Sequence, residues 1–311
     1  MGKILTVGET MAVMSPVEEG KLGDVSGFKL TIAGAESNTA IGLSRLGQEV
    51  SWLSRVGDDE LGRYVAREIS KEGVDLSHVI YDSKHRTGLM IKEIVNGETT
   101  VYYYRENSAA SKISADDINP TLFDGVDIVH ITGVTPVLSE SAREAVLRLF
   151  ELAKERGVKV SFDPNVRRKI WGGRDFVPML REMLLASDIA LLGQSEAMLI
   201  LGTNSMEESV NALISAGVSY VAVKDGGTGA LVANSKEKIF IPPYPCSPVD
   251  PGGAGDGFNA GFISGILNGK NLKEAGKMGA IVGALATETA SDVGGYPTLS
   301  DLEGRISQWN I

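Results

Sequence analysis

Residues 250–258 form a glycine-rich segment whose residue types suit catalysis on an anion. The segment reads DPGGAGDGF and precedes an apolar stretch predicted to be helical. The first turn of a helix has unpaired N–H groups and a partial positive charge, and glycine there lets an anion approach the backbone. An aspartate placed inside such a site for structure alone would repel the anion, whereas a general base is useful there because it can take a proton from the group that attacks the anion. We therefore predict that Asp256 takes a proton from an attacking hydroxyl, the alternative being an acidic residue that only favours the helix dipole.

A second segment of small residues, 33–38, joins a predicted strand to a predicted helix. Glu36 and Asn38 carry carboxylate and amide groups that form hydrogen bonds with polyhydroxylated compounds. The alternative is a local role, in which Ser37 caps the helix.

The order of the predicted elements indicates the scaffold that positions both segments. Strands at 4–7 and 50–54 alternate with helices at 38–46 and 60–72, and this rhythm predicts a parallel sheet covered by helices. The alternation returns after residue 109 and ends in two predicted helices, at 253–267 and 272–289. The predicted fold class is therefore α/β, doubly wound, in a single domain spanning 1–311.

The alternation is interrupted twice, at about 12–33 and 86–106. Asn96-Gly97 lies between two strand-like runs, 88–94 and 99–104, and this dipeptide is a strong signal for a two-residue hairpin. Both interruptions are predicted to add β structure beside the main sheet, and neither is long enough to form an independent domain.

Composition excludes several other classes of function. The chain has 30 Lys+Arg against 40 Asp+Glu, a net charge of −10, which argues against a protein that binds nucleic acid through a basic face. Cys246 is the single cysteine, so the chain has no intramolecular disulfide and no multi-cysteine metal site. Gly8-Glu9-Thr10-Met11 lacks the repeated glycines of a dinucleotide-binding turn, and no Walker-type loop is present.

The two glycine-containing segments together resemble the signatures of the ribokinase-type (PfkB) carbohydrate kinase family. Residues 33–47, AGAESNTAIGLSRLG, are similar to the family's N-terminal signature, and residues 250–261, DPGGAGDGFNAG, to its C-terminal one. The resemblance extends from residue 1 to about 297 and implies a ribokinase-like fold. It also implies that Asp256 is the catalytic base and that the amides of Gly253, Ala254 and Gly255 form an anion hole.

The resemblance further implies where two substrates bind. The two β interruptions are similar to a lid that closes over the sugar. The residues assigned to the sugar by resemblance are Gly34, Ala35, Glu36, Ser37, Asn38, Asp256 and Asp292. Those assigned to the nucleotide are Asn165, Lys224, Asp225, Gly226, Gly227, Thr228, Gly229, Gly253 and Gly255.

The subgroup of 2-keto-3-deoxygluconate kinases is the most similar. The matching segments are 102–105 (YYYR), 108–111 (SAAS) and 163–167 (DPNVR) with Trp171. Their substrate carries a carboxylate, and Arg105 and Arg167 supply planar donors suited to that group. Tyr103 and Tyr104 offer hydroxyls and ring faces to a sugar-like chain. The alternatives are solvated surface arginines and tyrosines that alternate between the faces of a strand.

The chain departs from the family pattern in two places. Pro251 and Gly252 replace two threonines that many members have, so the backbone amides are expected to contribute more to phosphate binding. The metal-associated Asn-x-x-Glu motif reads GQSE at 193–196, without the Asn, and leaves Glu196 as the candidate for holding magnesium through water. Lys224 either reaches phosphate or lies at a solvated strand end.

These features predict a kinase that uses ATP and Mg²⁺ to phosphorylate a hydroxyl of 2-keto-3-deoxygluconate, giving 2-keto-3-deoxy-6-phosphogluconate. A kinase for a neutral sugar (fructose, ribose) or a nucleoside, and a non-catalytic binding protein that senses a sugar or nucleotide, remain open. The expected partners are an acidic sugar and ATP, with no nucleic acid or membrane, and exposed strand edges of the lid favour a homo-oligomer. A cytoplasmic location is expected, since no signal-peptide core and no membrane-length apolar run is present.

Overall fold

The computed structural model describes residues 2–309, and its largest element is a sheet of nine strands. Seven strands are parallel, as the alternating pattern predicted, and the last two form an antiparallel hairpin at one edge. The strands are β1 (Lys3–Val7), β4 (Glu49–Gly57), β5 (Val79–Asp82), β8 (Ile128–Thr132), β9 (Lys159–Asp163), β10 (Ile189–Gly193), β11 (Tyr220–Lys224), β12 (Ala230–Asn234) and β13 (Lys238–Ile241).

The strand order places a crevice at the centre of this large sheet. The order is β13-β12-β11-β10-β9-β8-β1-β4-β5. Strand β1 therefore pairs with β4 on one side and with β8 on the other, and the direction in which strands are added reverses at β1. Open α/β sheets bind ligands at the carboxyl ends of the strands where the order reverses in this way. The order therefore confirms the doubly wound prediction and locates the expected site beyond β1 and β8.

Helices cover both faces of the large sheet because neighbouring residues of each strand point to opposite sides. Ile4 packs in one apolar cluster and Leu5, the next residue, packs in the other. The Ile4 face contacts α1 (Ala35–Arg45), α2 (Glu60–Lys71), α8 (Ala254–Leu267), α9 (Leu272–Ala286) and α10 (Leu299–Gln308). The Leu5 face contacts α3 (Val134–Leu138), α4 (Glu140–Arg156), α5 (Val177–Ala186), α6 (Gln194–Leu201) and α7 (Met206–Ser215).

Two helix predictions need correction. Helix α1 begins at Ala35, three residues before the predicted start, because Gly34 supplies the extended N-cap backbone without a side-chain cap. The prediction that two helices close the fold is wrong, since α10 follows them. Its start has a recognisable signal, a capping box in which Thr298 and Asp301 bond reciprocally.

The interruptions of the α/β pattern form a separate sheet of four strands, the small sheet. Its strands are β2 (Met11–Pro16), β3 (Phe28–Ala33), β6 (Leu89–Val95) and β7 (Glu98–Tyr104), in the order β3-β2-β6-β7. Asn96 and Gly97 turn between β6 and β7 with φ of 54° and 76°, as expected of a type I′ hairpin. Among the helices of residues 2–309, none combines the length and the apolar character that spanning a membrane requires.

Candidate active site

A cavity of about 1200 Å³ lies between the small sheet and the carboxyl ends of the large sheet. Its walls include Tyr103 and Arg105 from the region of β7, Asp256 from α8, and the loop that follows β13, with Pro242 and Tyr244. The cavity therefore brings together segments that the sequence analysis assigned to a sugar and to a nucleotide.

Asp256 lies in the first turn of α8, lines the cavity and is 8% exposed. Its Oδ2 accepts a hydrogen bond from Asn38 Nδ2 at 2.9 Å, and its Oδ1 accepts one from Asn165 Nδ2 at 3.5 Å. Burial raises the pKa of Asp256 to about 8, with a smaller upward contribution from the charge of Asp163 and an opposing one from the Asn38 hydrogen bond. A carboxylate with a pKa near neutral pH is suited to act as a general base.

The backbone before Asp256, predicted to form an anion site, has a geometry that suits this role. Gly253 caps α8 with φ 72°, and a Cβ there would lie 1.8 Å from the carbonyl oxygen of Asp292, so only glycine fits. Within the described residues, the N–H groups of Gly253 and Gly255 donate to no protein acceptor. The N–H of Ala254 bonds weakly to the carbonyl of Pro251 at 3.4 Å. Two of the three predicted amides are thus free to bind an anion.

Lys224 lies beside Gly255 of this candidate anion site rather than in solvent. Its Nζ is 3.0 Å from Asp163 Oδ2 and 2.9 Å from Asn259 Oδ1, and a Cβ on Gly255 would lie 3.8 Å from it. Burial raises the pKa of Asp163, but the charge of Lys224 and the hydrogen bonds to the carboxylate outweigh this effect and hold that pKa below its usual value. The alternative that Lys224 is a solvated strand end is therefore wrong.

Glu196 holds two backbone segments together at the edge of the cavity. Its Oε1 accepts from Val166 N at 2.7 Å, and its Oε2 accepts from Gly193 N at 2.8 Å at the start of α6. Burial, and then the charge of Asp163, raise the pKa of Glu196. The carboxylate lines the cavity, but both of its oxygens already bind backbone amides, and its role in holding magnesium through water stays a prediction.

Arg105 has a partner that sequence reasoning missed. Glu9, just beyond β1, is almost fully buried, and its Oε2 accepts from Arg105 Nε at 2.7 Å and also contacts Nη2. Ser108 donates to the other Glu9 oxygen at 2.5 Å, and the Arg105 guanidinium lies 5.7 Å from the centre of the Tyr103 ring. The signal available in the sequence was a glutamate directly after the first buried strand. The charge of Arg105 is therefore largely compensated before any ligand binds.

Arg167 and Asp292, which the sequence analysis assigned to the substrate, both line the cavity. Arg167 is exposed, and among the described residues no carboxylate lies within ion-pair distance of it. Asp292 Oδ2 lies 3.5 Å from Asn38 Nδ2. Its Oδ1 lies 3.6 Å from the Nζ of Lys92, a lysine on β6 that the sequence analysis did not single out.

Glu36 and Ser37 do not face the cavity, which corrects their assignment to the sugar. Glu36 is fully buried, and its Oε1 accepts from the hydroxyls of Thr132 and Thr135, each at 2.7 Å. Ser37 accepts from Thr10 Oγ1 at 2.6 Å and donates to the carbonyl of Gly34, so the alternative that it caps α1 is also wrong. Gly34, Ala35 and Asn38 do line the cavity.

Tyr104 and Thr228 are also placed outside the cavity. Tyr104 is 61% exposed on the outer face of β7, because alternate residues of a strand point to opposite sides, while Tyr103 faces inward. Thr228 is exposed in a short 3₁₀ turn, whereas Asp225, Gly226, Gly227 and Gly229 of the same loop line the cavity. Asn165, assigned to the nucleotide, also lines the cavity, with its amide against Asp256.

Comparison with known proteins agrees with this geometry. The family model described as "pfkB family carbohydrate kinase" matches residues 1–299. The 2-dehydro-3-deoxygluconokinase of Bacillus subtilis (strain 168) is 36% identical over 307 residues, which are 97% of this chain and 95% of that one. A PfkB protein from Polaromonas sp. JS666 superposes with a TM-score of 0.90 at 34% identity, over 97% of this chain and 99% of that chain. A putative ribokinase II from E. coli, solved in complex with ATP and Mg²⁺, gives a TM-score of 0.89 at 25% identity, over 99% and 100%. The chain belongs to the pfkB family of carbohydrate kinases.

Proposed function

We propose that this carbohydrate kinase transfers the γ-phosphoryl group of ATP to a hydroxyl of 2-keto-3-deoxygluconate. The observation that carries the proposal is the position of Asp256, a buried carboxylate with a raised pKa, immediately after the unpaired amides of Gly253 and Gly255. A base and an anion site in one helical turn are the two groups that phosphoryl transfer to an alcohol requires.

The reaction follows from this arrangement. Asp256 takes the proton of the substrate hydroxyl as its oxygen forms a bond to the γ-phosphorus. The bond between that phosphorus and the bridging oxygen breaks at the same time, and ADP leaves. The N–H groups of Gly253 and Gly255 and the ammonium of Lys224 balance the negative charge on the transferred group.

The sugar half of the cavity contains neutral polar groups, a carboxylate and cations. Asn38, Asp292 and the backbone of Gly34 and Ala35 are suited to hydroxyl groups, and Tyr103 offers a ring and a phenol. Among the described cations that line the cavity, Arg167 is the one with no carboxylate within ion-pair distance, so we assign the substrate carboxylate chiefly to it, with Arg105 as its second contact. The similarity to the Bacillus subtilis kinase supports this choice of substrate.

The nucleotide half begins at the glycine loop after β11, whose Asp225, Gly226, Gly227 and Gly229 line the cavity.

The side chains that could bind Mg²⁺ show how well the chain fits this ion. Within residues 2–309, no cluster of three or more His, Cys, Asp or Glu side chains is arranged to hold a metal. Mg²⁺ usually binds through one or two carboxylates, waters and substrate phosphates. Glu196 fits that pattern through water, and the ion when bound would neutralise phosphate charge. The complex of the E. coli neighbour with ATP and Mg²⁺ supports this assignment.

The small sheet is proposed to act as the lid of a single domain, formed by about 12–33 and 86–106. Tyr103 and Arg105 lie on it or beside it and face the cavity, so its closure would exclude water and prevent loss of ATP to hydrolysis. Strands β3 and β7 form its edges and pair on one side only within the described residues, which keeps a homo-oligomer through the lid as a prediction.

A substrate panel tests the proposal. ADP release with ATP and Mg²⁺ is measured for 2-keto-3-deoxygluconate, fructose, ribose and a nucleoside, and we expect the acidic sugar to give the highest kcat/KM. Because the charge of Arg167 also lowers the pKa of Asp256, Arg167→Met can slow every substrate, but it should lower kcat/KM for the acidic sugar about 10-fold or more beyond any loss for the neutral sugars. Arg168→Met, at the neighbouring exposed arginine, serves as the control. Equal loss for acidic and neutral sugars would support the neutral-sugar alternative, which the compensation of Arg105 by Glu9 favours. Tight ligand binding without ADP release would indicate a non-catalytic binding protein.

A further inference from the structure

Lys92 is a cation of the small sheet that has no role in the reaction proposed above. It lies on β6 on the same face as Met90, pairs in register with Val101 of β7, and its side chain is 12% exposed. All three residues line the cavity. Lys92 therefore presents a positive charge to the cavity from the side opposite the large sheet.

The contacts of Lys92 leave its hydrogen-bonding capacity unused. Its Nζ lies 3.6 Å from Asp292 Oδ1 and 3.8 Å from Asp250 Oδ2, distances of ion pairs but longer than a hydrogen bond. Among residues 2–309, no protein atom accepts a hydrogen bond from this ammonium. A largely buried ammonium with three free donors favours an anionic ligand group that accepts from it.

The two carboxylates place Lys92 over the anion site. A Cβ on Gly252 would lie 2.8 Å from Asp292 Oδ1, the oxygen nearest Lys92, and Asp250 Oδ1 accepts from the N–H of Gly252 at 2.7 Å. The backbone of Asp292 packs directly on Gly253. Lys92 therefore approaches the loop that opens α8 from the small sheet, while Lys224 approaches Gly255 from β11.

We propose that Lys92 is a further catalytic residue, whose ammonium donates hydrogen bonds to oxygens of the phosphoryl group during its transfer. The inference rests on the proposed function. The bonds that form and break are those already given, the hydroxyl proton goes to Asp256, and Lys92 remains protonated throughout. Because Lys92 is on the small sheet, its charge reaches the phosphoryl group only when that sheet covers the cavity. Transfer is thereby favoured over hydrolysis in an open site.

Turnover measurements separate this role from others. Lys92→Met should lower kcat about 10²-fold, as removal of one donor to a transition-state oxyanion does, and change the KM for the sugar by less than about 3-fold. Lys92→Arg should recover part of kcat. Lys29→Met, an exposed lysine of β3 in the same sheet, is the control for loss of charge. A raised KM for the acidic sugar with kcat unchanged would overturn the proposal and make Lys92 a carboxylate-binding residue.

Nucleotide binding provides a readout that does not depend on the identity of the sugar. We expect Lys92→Met to weaken Mg²⁺-bound AMP-PNP at least about 5-fold in calorimetry and to leave ADP affinity unchanged, since only the third phosphate reaches Lys92. If the wild type phosphorylates no sugar of the panel, the proposed function and the catalytic role of Lys92 fail together, whereas this comparison separately decides whether Lys92 binds the third phosphate. Equal affinities of variant and wild type for AMP-PNP, together with a lower Tm of the variant, would show that Lys92 only stabilises the fold through its ion pairs with Asp250 and Asp292, and would overturn the proposal.

Discussion

Asn38 and Asp256 are 218 residues apart in the sequence, and the Asn38 amide donates a 2.9 Å hydrogen bond to the Asp256 carboxylate. This bond joins the first turn of α1 to the first turn of α8, two helices that pack against each other on the same face of the large sheet. Burial disfavours the ionised carboxylate, whereas the amide donor favours it. The balance between these two effects sets the basicity of the proposed catalytic base and directs one of its oxygens.

Replacement of the base is the most direct test of this arrangement. Asp256→Asn keeps the shape of the side chain but cannot accept the proton, so kcat should fall roughly 10²–10⁴-fold. Calorimetry with AMP-PNP should show nucleotide affinity close to that of the wild type, because the amides of Gly253 and Gly255 remain. Equal losses of affinity for nucleotide and sugar, with unchanged turnover of bound substrate, would contradict the role of Asp256.

The pH profile tests the environment of the same carboxylate. The base acts when ionised, so kcat/KM should rise with pH and level off above an apparent pKa near 8. Both the Asn38 hydrogen bond and the charge of Arg167 lower the pKa of Asp256. Asn38→Leu and Arg167→Met should therefore each move this limb to higher pH, and Arg168→Met should leave it in place. A limb that stays at the same pH in both variants would show that another group titrates.

The arginine beside the small sheet has a structural role that a stability measurement can isolate. Arg105→Met leaves the carboxylate of Glu9 buried without its partner and should lower the free energy of unfolding by about 3–5 kcal/mol. Glu9→Gln in the same chain removes the unpaired charge and keeps an acceptor for Ser108, so much of the stability should return. Urea unfolding of the single and double variants checks this, and equal instability of the two would refute the pairing.

The local parts of the site could be predicted from the sequence better than the contacts between distant residues. The segment around Asp256 contains the N-cap, the unpaired amides and the proposed base in consecutive residues, so its geometry follows from the start of one helix. Successive residues of a helix point about 100° apart, so Glu36, Ser37 and Asn38 cannot share a direction, and only Asn38 faces the cavity. Which of the three does so depends on a helix start at Ala35 and on packing against Thr132, neither of which is visible locally.

The carboxylates that pair with the cations of the small sheet could not be predicted from the sequence for the same reason. Glu9 and Arg105 are 96 residues apart, and Lys92 meets Asp250 and Asp292 only because the small sheet lies over the large one. Alternating strands and helices predict the large sheet and the hairpin signal predicts part of the small one, but neither pattern encodes how the two sheets face each other. The ion pairs that small-sheet cations form with carboxylates elsewhere in the fold decide which of these cations are free to bind a ligand.

Lys224 combines a structural and a chemical role, and a paired substitution separates them. Lys224→Met leaves Asp163 buried without its cation, so both stability and kcat should fall, stability by about 3–5 kcal/mol. Asp163→Asn added to that variant removes the uncompensated charge and should restore much of the free energy of unfolding. It does not restore a cation beside Gly255, so kcat should remain at least about 10-fold below wild type. Urea unfolding and steady-state kinetics on the same preparations decide between the roles, and a double variant that regains kcat together with its stability would show that Lys224 acts only as a partner of Asp163.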